Sequence, residues 1–150
     1  MMFIREALTS DIDGITDCAK RFFEYAGFES MGLPLDEESF KECVTGYIEN
    51  GVVLLLMDGL YVAGGIAGII QPWGFNREIK ICKELFWWVD EKYRGRNSLE
   101  LLIEYEKKVK EAGADINLMI SVNTHLQPKV NKIYNRMGYS ELESNFIKSL

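Results

Sequence analysis

Leu85-Phe86-Trp87-Trp88-Val89-Asp90-Glu91-Lys92-Tyr93-Arg94-Gly95-Arg96-Asn97-Ser98-Leu99 passes from an aromatic, apolar strand through a basic turn into a helix that continues to Ile103 and beyond. Such a strand-turn-helix places the unpaired N–H groups of the first helical turn, and the positive end of the helix dipole, at the carboxyl end of a strand. That arrangement is an anion cradle. Arg94 and Arg96 add full charges, and the guanidinium fork suits phosphate oxygens. Gly95 permits a backbone path that a side chain would block. The phosphate loop Gly-x-x-x-x-Gly-Lys-Ser/Thr and the dinucleotide fingerprint Gly-x-Gly-x-x-Gly are both absent. Taken alone, a segment of this kind is more often a plain strand-to-helix turn with solvated arginines.

Upstream, Ile81–Val89 reads as a long strand, preceded by a loop over Gln71–Lys80 with Pro72-Trp73-Gly74-Phe75 at its centre. Before that, the near-continuous apolar run Val52–Met57 predicts a strand buried on both faces. Asp58-Gly59 predicts a tight hairpin turn into a partner strand over Tyr61–Ile70. Two amphipathic helices come earlier. The first carries Ile12, Ile15, Ala19, Phe22, Phe23 and Ala26, with a cap among Thr9, Ser10 and Asp11 and a stop at Gly27. The second carries Phe40, Cys43, Val44, Tyr47 and Ile48, capped by Asp36. Met2–Ala7 is a short opening strand.

Downstream, Asn97 or Ser98 caps a helix whose apolar positions are Leu99, Leu102, Ile103, Val109 and Ala112. Ile116–Val122 predicts another strand. Pro128 opens a last helix with Val130, Ile133, Tyr134 and Met137 on one face. Tyr139–Leu150 has the character of one or two final strands. The order implies an α/β (α+β) protein: a single domain over residues 1–150, with a mixed, mostly antiparallel sheet of about six to seven strands and about four helices covering both faces.

Composition narrows the class. The chain has 150 residues, 47% of them hydrophobic and 27% charged. A chain of that size buries roughly two-thirds of its unfolded surface. The net charge of -6 argues against nucleic-acid binding through a broad basic face and is compatible with a cationic substrate such as an amine. Cys18, Cys43 and Cys82 are too few and too scattered for a disulfide framework or a zinc site, and read as reduced, buried thiols. No metal ligand set is recognisable. No apolar run approaches the roughly 18 residues that cross a bilayer, and Arg5, Asp11 and Asp13 interrupt the N-terminal segment, so the expected location is the cytoplasm.

Phe86 to Arg96, with its Val89 and its Tyr93-Arg94-Gly95, resembles the pyrophosphate-binding motif of the GNAT acetyltransferases. Asn97 and Leu99 stand where that family usually has small residues. Gln127-Pro128-Lys129-Val130-Asn131-Lys132-Ile133-Tyr134-Asn135-Arg136-Met137-Gly138-Tyr139 is similar to the family's later Asn-x-x-Ala-x-x-Leu-Tyr-x-x-x-Gly-Phe. Gln127 replaces the Asn and Val130 the Ala. With the opening strand and the two early helices, the resemblance covers nearly the whole chain.

The resemblance implies a GNAT-like sheet and an acetyl-CoA-dependent N-acetyltransferase, in which an amine attacks the thioester directly. It implies that Trp87, Trp88, Val89 and Asn123 line the pantetheine arm, and that Arg94, Gly95, Arg96, Asn97, Ser98 and Leu99 hold the pyrophosphate. Tyr134 then lies against the cofactor as general acid toward the coenzyme A sulfur; by spacing alone it reads as a core residue beside Val130, Ile133 and Met137. Glu84 is the candidate general base and is equally a solvent-facing strand residue. His125 is a rival base or acceptor contact, and Trp73 and Phe75 are candidate acceptor-pocket residues or merely core cover. The acceptor would be a small-molecule or peptide amine, with no nucleic-acid or membrane partner, and the aromatic content and C-terminal strand would support a homodimer. The competing reading is a GNAT-like module with weak or no catalysis that works by protein contact.

Overall fold

The computed structural model describes residues 1–150. β1 (Met2–Glu6) leads through a 3-10 turn to α1 (Ile12–Ala26) and α2 (Glu37–Asn50). β2 (Gly51–Asp58), β3 (Tyr61–Trp73) and β4 (Asn76–Val89) follow as a meander, then α3 (Arg96–Glu111), β5 (Ile116–Leu118) and α4 (Gln127–Arg136). The five strands lie in sequence order, antiparallel from β1 to β4, with β5 parallel to β4.

The reason β2 lacks an alternating pattern is visible in its neighbours. Val52, Leu54 and Leu56 face a core shared with α3 and α4, built around Leu101, Leu102, Tyr105, Val109 and Tyr134. Val53, Leu55 and Met57 face a second core shared with α1 and α2, built around Ile15, Cys18, Ala19, Val44 and Phe86. A sheet covered on both faces needs apolar residues at every position of its central strands.

The helix caps follow their sequence signals in part. Asp36 accepts the Ser39 N–H at 3.0 Å and opens α2. Asp11 accepts the Leu8 N–H at 2.7 Å and pairs with Arg5 at 2.7 Å, fixing the entry to α1. α1 ends at Gly27, which is left-handed at φ 70°.

Several expectations are corrected. The sheet has five strands, and Tyr139–Leu150 forms none; Glu141–Leu150 is exposed throughout. The Ile116–Val122 strand ends at Leu118. Gln71–Lys80 is not a loop: β3 continues to Trp73, β4 begins at Asn76, and only Gly74 and Phe75 turn between them. Asn76–Glu78 is exposed at every residue, so no apolar period marks it as strand. Asp58 is the last residue of β2, opposite Tyr61, and the turn is Gly59-Leu60. α3 starts at Arg96 with Gly95 as its cap, so neither Asn97 nor Ser98 fills that place. Its buried face is Leu101, Leu102, Tyr105 and Val109, while Leu99 and Ile103 are exposed. Cys43 is exposed rather than buried.

Tyr105 explains the shifted face of α3. Its hydroxyl reaches under the sheet to the Cys82 thiol at 3.2 Å, in the space above Gly68. A Cβ at residue 68 would collide with that hydroxyl and with the Cys82 sulfur.

Candidate active site

β4 carries a bulge. Ala67 pairs with Phe86 and Gly68 with Glu84, which leaves Leu85 as the extra residue. In an unbroken strand Glu84 and Trp87 would point to opposite faces. With the bulge, Cys82, Trp87 and Val89 all border the α3–α4 core, and Glu84 meets Tyr134 there, while Leu85, Phe86 and Trp88 border the α1–α2 core.

Just below the bulge the sheet opens. β4 and β5 pair at Ile81–Ile116, Cys82–Asn117 and Lys83–Leu118, and no farther. At the apex of this splay Glu84 is 6% exposed, and its Oε1 accepts the Ile120 N–H at 2.9 Å. The Tyr134 hydroxyl donates to the Ile120 carbonyl oxygen at 2.6 Å. Both polar groups of the Ile120 peptide are therefore held by side chains instead of a neighbouring strand, which is why β5 stops.

Burial drives the Glu84 carboxyl up to about 8, against the lowering effect of the Ile120 N–H and of Tyr134. The Tyr134 phenol is pushed far above its ordinary value by burial first and by the Glu84 charge second, so it stays a proton donor. Trp87 lies beside Tyr134 with ring centroids 6.1 Å apart, and its indole Nε1 is buried without a hydrogen-bond partner. A buried orphan donor costs about 1–3 kcal/mol, which a bound acceptor would recover.

Beyond Val89 the chain makes a 3-10 turn over Glu91–Tyr93 and reaches Gly95. Gly95 sits at φ 98°, ψ −123°, a conformation closed to side-chain-bearing residues, and no atom lies within 4 Å of where its Cβ would be. Its carbonyl takes the N–H groups of Ser98 at 3.1 Å and Leu99 at 3.3 Å. The Asn97 side chain donates to the Tyr93 carbonyl at 2.9 Å, and Leu99 is 39% exposed. Arg96 reaches outward to Glu100 at 2.7 Å. Arg94 turns back: its Nε donates to the Val89 carbonyl at 2.7 Å and its guanidinium lies over the Trp88 ring, 4.6 Å from the centroid.

The structure thus brings Glu84, Trp87 and Tyr134 together at the splay, with Trp88, Val89 and Arg94–Leu99 along its β4 side. Asn123 is exposed on the segment after β5. His125, also exposed, stands 5.6 Å from the Tyr25 ring on that segment. Trp73 and Phe75 are not part of the cluster. They meet each other at 5.1 Å at the tip of the β3–β4 hairpin, 43% and 88% exposed. At about 3.3 Å per residue the tip is roughly 25 Å from Glu84 along β4. Two surface cavities, about 350 and 430 Å³, are lined by none of Glu84, Trp87 and Tyr134. No cluster of three His, Cys, Asp or Glu side chains is arranged to hold a metal ion, and no helix is long and apolar enough to cross a membrane.

The residues that sequence reading missed are the supports. Asp90 accepts from Arg21, Tyr61 and Trp88. Tyr25 packs on Trp88 at 5.3 Å and donates to the Thr124 hydroxyl at 2.8 Å, joining α1 to the segment beyond β5. The signal on offer is Arg21 itself, a cation three residues past the buried Cys18 and therefore beside it on α1.

No family model and no curated protein matches the sequence. Solved structures match its fold at low identity. A GCN5-related N-acetyltransferase from Ralstonia eutropha JMP134 superposes with a TM-score of 0.75 at 18% identity, covering 100% of this chain and 99% of that one. A predicted acetyltransferase from Clostridium acetobutylicum, solved with acetyl-CoA, gives 0.74 at 13% identity over 99% and 96% of the two chains. An aminoglycoside acetyltransferase from an uncultured soil metagenomic sample, solved with sisomicin, gives 0.73 at 12% identity over 99% and 96%. The chain is built on the fold of the GCN5-related N-acetyltransferases.

Proposed function

We propose that the protein is an N-acetyltransferase that moves an acetyl group from acetyl-CoA to an amine by direct attack on the thioester. The observation that carries this reading is the splay itself: parallel strands part at Lys83 and Leu118, and the gap holds a buried carboxyl, a buried phenol and an orphan indole N–H at one apex. One solved structure of the same fold contains acetyl-CoA and another an aminoglycoside, which supports the donor and a small-molecule amine as acceptor. A peptide amine fits the same chemistry.

Acetyl-CoA supplies the activated acyl group. Glu84 accepts the proton that the amine loses, directly or through a water; burial keeps its proton affinity near neutral, where a base is most useful. Backbone N–H groups of β4 around the bulge stabilise the oxyanion, and the Trp87 indole N–H is available to a carbonyl of the donor. Tyr134 delivers the proton that the thiolate needs on leaving. Its present acceptor, the Ile120 carbonyl, holds the phenol at the apex until then. Val89, the terminal nitrogens of Arg94, and the turn Gly95–Leu99 bind the pantetheine and diphosphate.

One observation favours a non-catalytic module instead: Arg94 and Tyr134 both spend a donor on a backbone carbonyl. A free-thiol release assay with acetyl-CoA over polyamines, amino acids, aminoglycosides and peptides separates the two, paired with a thermal-shift titration. The enzyme predicts amine-dependent thiol release and stabilisation that grows with ligand by mass action. Absence of both at millimolar acetyl-CoA would reject the donor assignment. Stabilisation without release would favour the binding module.

A further inference from the structure

We propose that Asp90 is a positioning residue for the anion cradle: its carboxylate fixes the Trp88 indole, and Trp88 in turn carries the guanidinium of Arg94. This rests on Arg94 binding the diphosphate of the donor, and it adds a support that neither the sequence motif nor the splay requires.

Asp90 is the first residue after β4, and its N–H still pairs with the Ala63 carbonyl at 2.9 Å, so its backbone is fixed. Its side chain collects three donors. Arg21 Nε and Trp88 Nε1 both reach Oδ1 at 2.8 Å, and the Tyr61 hydroxyl reaches Oδ2 at 2.5 Å. Arg21 also donates to the Val62 carbonyl at 2.8 Å, which ties α1 to β3. Burial alone would raise the Asp90 carboxyl, but the three hydrogen bonds hold it below its ordinary value, so it is an anion at neutral pH. The Arg21 guanidinium balances that charge, and Asp90 therefore adds little net repulsion to a phosphate bound nearby.

Trp88 is the second link. With its N–H tied to Asp90 and Tyr25 packed at 5.3 Å, the indole has one orientation. Arg94 lies on its face at 4.6 Å, and its Nε is spent on the Val89 carbonyl. The guanidinium is held against the Trp88 ring at 4.6 Å and the Tyr25 ring at 5.8 Å, and its only hydrogen bond is made by the stem-side Nε. The two terminal nitrogens make no hydrogen bond within the protein and remain available as a phosphate fork. An arginine ordered before the ligand arrives loses less freedom on binding.

The test is a double-mutant cycle read by calorimetric titration of coenzyme A into the full chain, with circular dichroism as the folding control. Arg94→Ala should weaken binding by about tenfold and Asp90→Ala by about fivefold. The double variant should match Arg94→Ala within about twofold, because Asp90 acts only through Arg94. Asp90→Asn, which keeps an acceptor for Trp88, should recover most of the loss. In the proton–nitrogen spectrum, the indole peak that Trp88→Phe removes should move in Asp90→Ala, while that of the distant Trp73 stays. If Asp90→Ala does not fold, Trp88→Leu replaces it in the cycle with the same expectation. Losses that multiply in the double variant, or full affinity in Asp90→Ala or Trp88→Leu, would overturn the proposal while leaving the cradle intact. Unchanged affinity in Arg94→Ala would overturn the cradle and the proposal together.

Discussion

The Glu84 carboxyl accepts the Ile120 N–H while lying away from water, and these two facts pull its proton affinity in opposite directions. Burial wins, and the group titrates near 8. Its folded value lies above its unfolded one, so its contribution to stability is full below the unfolded value of about 4.3 and is lost as the pH rises through the folded value of about 8. Glu84→Gln keeps an acceptor for Ile120 and has no proton to lose. Urea unfolding should therefore show the Gln variant gaining on the wild type between pH 5 and pH 9, and parallel curves would refute a buried neutral carboxyl. Activity runs the other way: kcat/KM should rise with pH through about 8 in the wild type and fall by about 10²- to 10⁴-fold in the variant. Tyr134→Phe separates the other role. It strips the Ile120 carbonyl of its donor, at a stability cost of about 1–3 kcal/mol. Turnover should fall about 10²-fold with the coenzyme A dissociation constant little changed, and an unaltered kcat would remove Tyr134 from the proton path. Sequence reading points to Tyr134 by its place in a motif and to Glu84 only by its place in the strand that enters the site, and Glu84 stays open between solvent and site, because a carboxylate in an aromatic strand carries no sign of which face it takes.

Strand β4 organises the site through one inserted residue. Removing Leu85 would pair Glu84 and Phe86 in succession against Gly68 and Ala67, and every later side chain would keep its face. The deletion variant should therefore fold, with its far-ultraviolet circular dichroism retained, since Leu85 is only half-buried. It should lose acetyl transfer by about tenfold or more, because the kinked backbone that presents N–H groups to the splay is gone. Wild-type turnover in the deletion variant would show that the bulge is a packing feature alone. On β4 itself no residue pattern announces the bulge, although the glycines of its partner strand, Gly64, Gly65 and Gly68, suggest a bulge or close backbone approach, and Gly68 lies at the register shift. Phe86, Trp87, Trp88 and Val89 are apolar on both faces, so a one-residue slip leaves the hydrophobic pattern unchanged. The true face of α3 is hidden for a different reason: its apolar Leu99 and Ile103 are exposed, while Tyr105, whose hydroxyl finds a buried partner in Cys82, is core. By contrast α1, α2 and the β2–β3 hairpin were legible, because their caps and turns use residues with a local mechanism: Asp36, Gly27 and Gly59.

For the molecule as a whole, the order of elements up to α4 followed from alternating periodicities, and what failed was the count of strands after it. Tyr139 is the last anchored residue: its hydroxyl takes the Asn117 amide at 2.8 Å and donates to Glu106 at 2.5 Å. From Glu141 on, the chain is exposed, with Leu142, Phe146, Ile147 and Leu150 among the solvent-facing apolar side chains. Strand propensity could not decide the matter, because a strand needs an edge to join. β5 offers only Ile116–Leu118 before the Ile120 peptide is taken by Glu84 and Tyr134. The same contacts that build the splay thus leave the tail without a strand to pair with in its own chain, though Ser149 lies beside Gly32. Truncation after Ser140 should keep the sheet signal in circular dichroism and shift the melting temperature by no more than about 2–4 °C, the equivalent of about 1 kcal/mol for a domain of this size. The homodimer expected from the sequence would use this tail, and light scattering across a concentration series gives the second reading of the same variant. If the tail pairs with a second copy, the truncated chain stays monomeric where the full chain associates; a large loss of stability in a monomeric wild type would instead mean that the tail belongs to the core of its own chain.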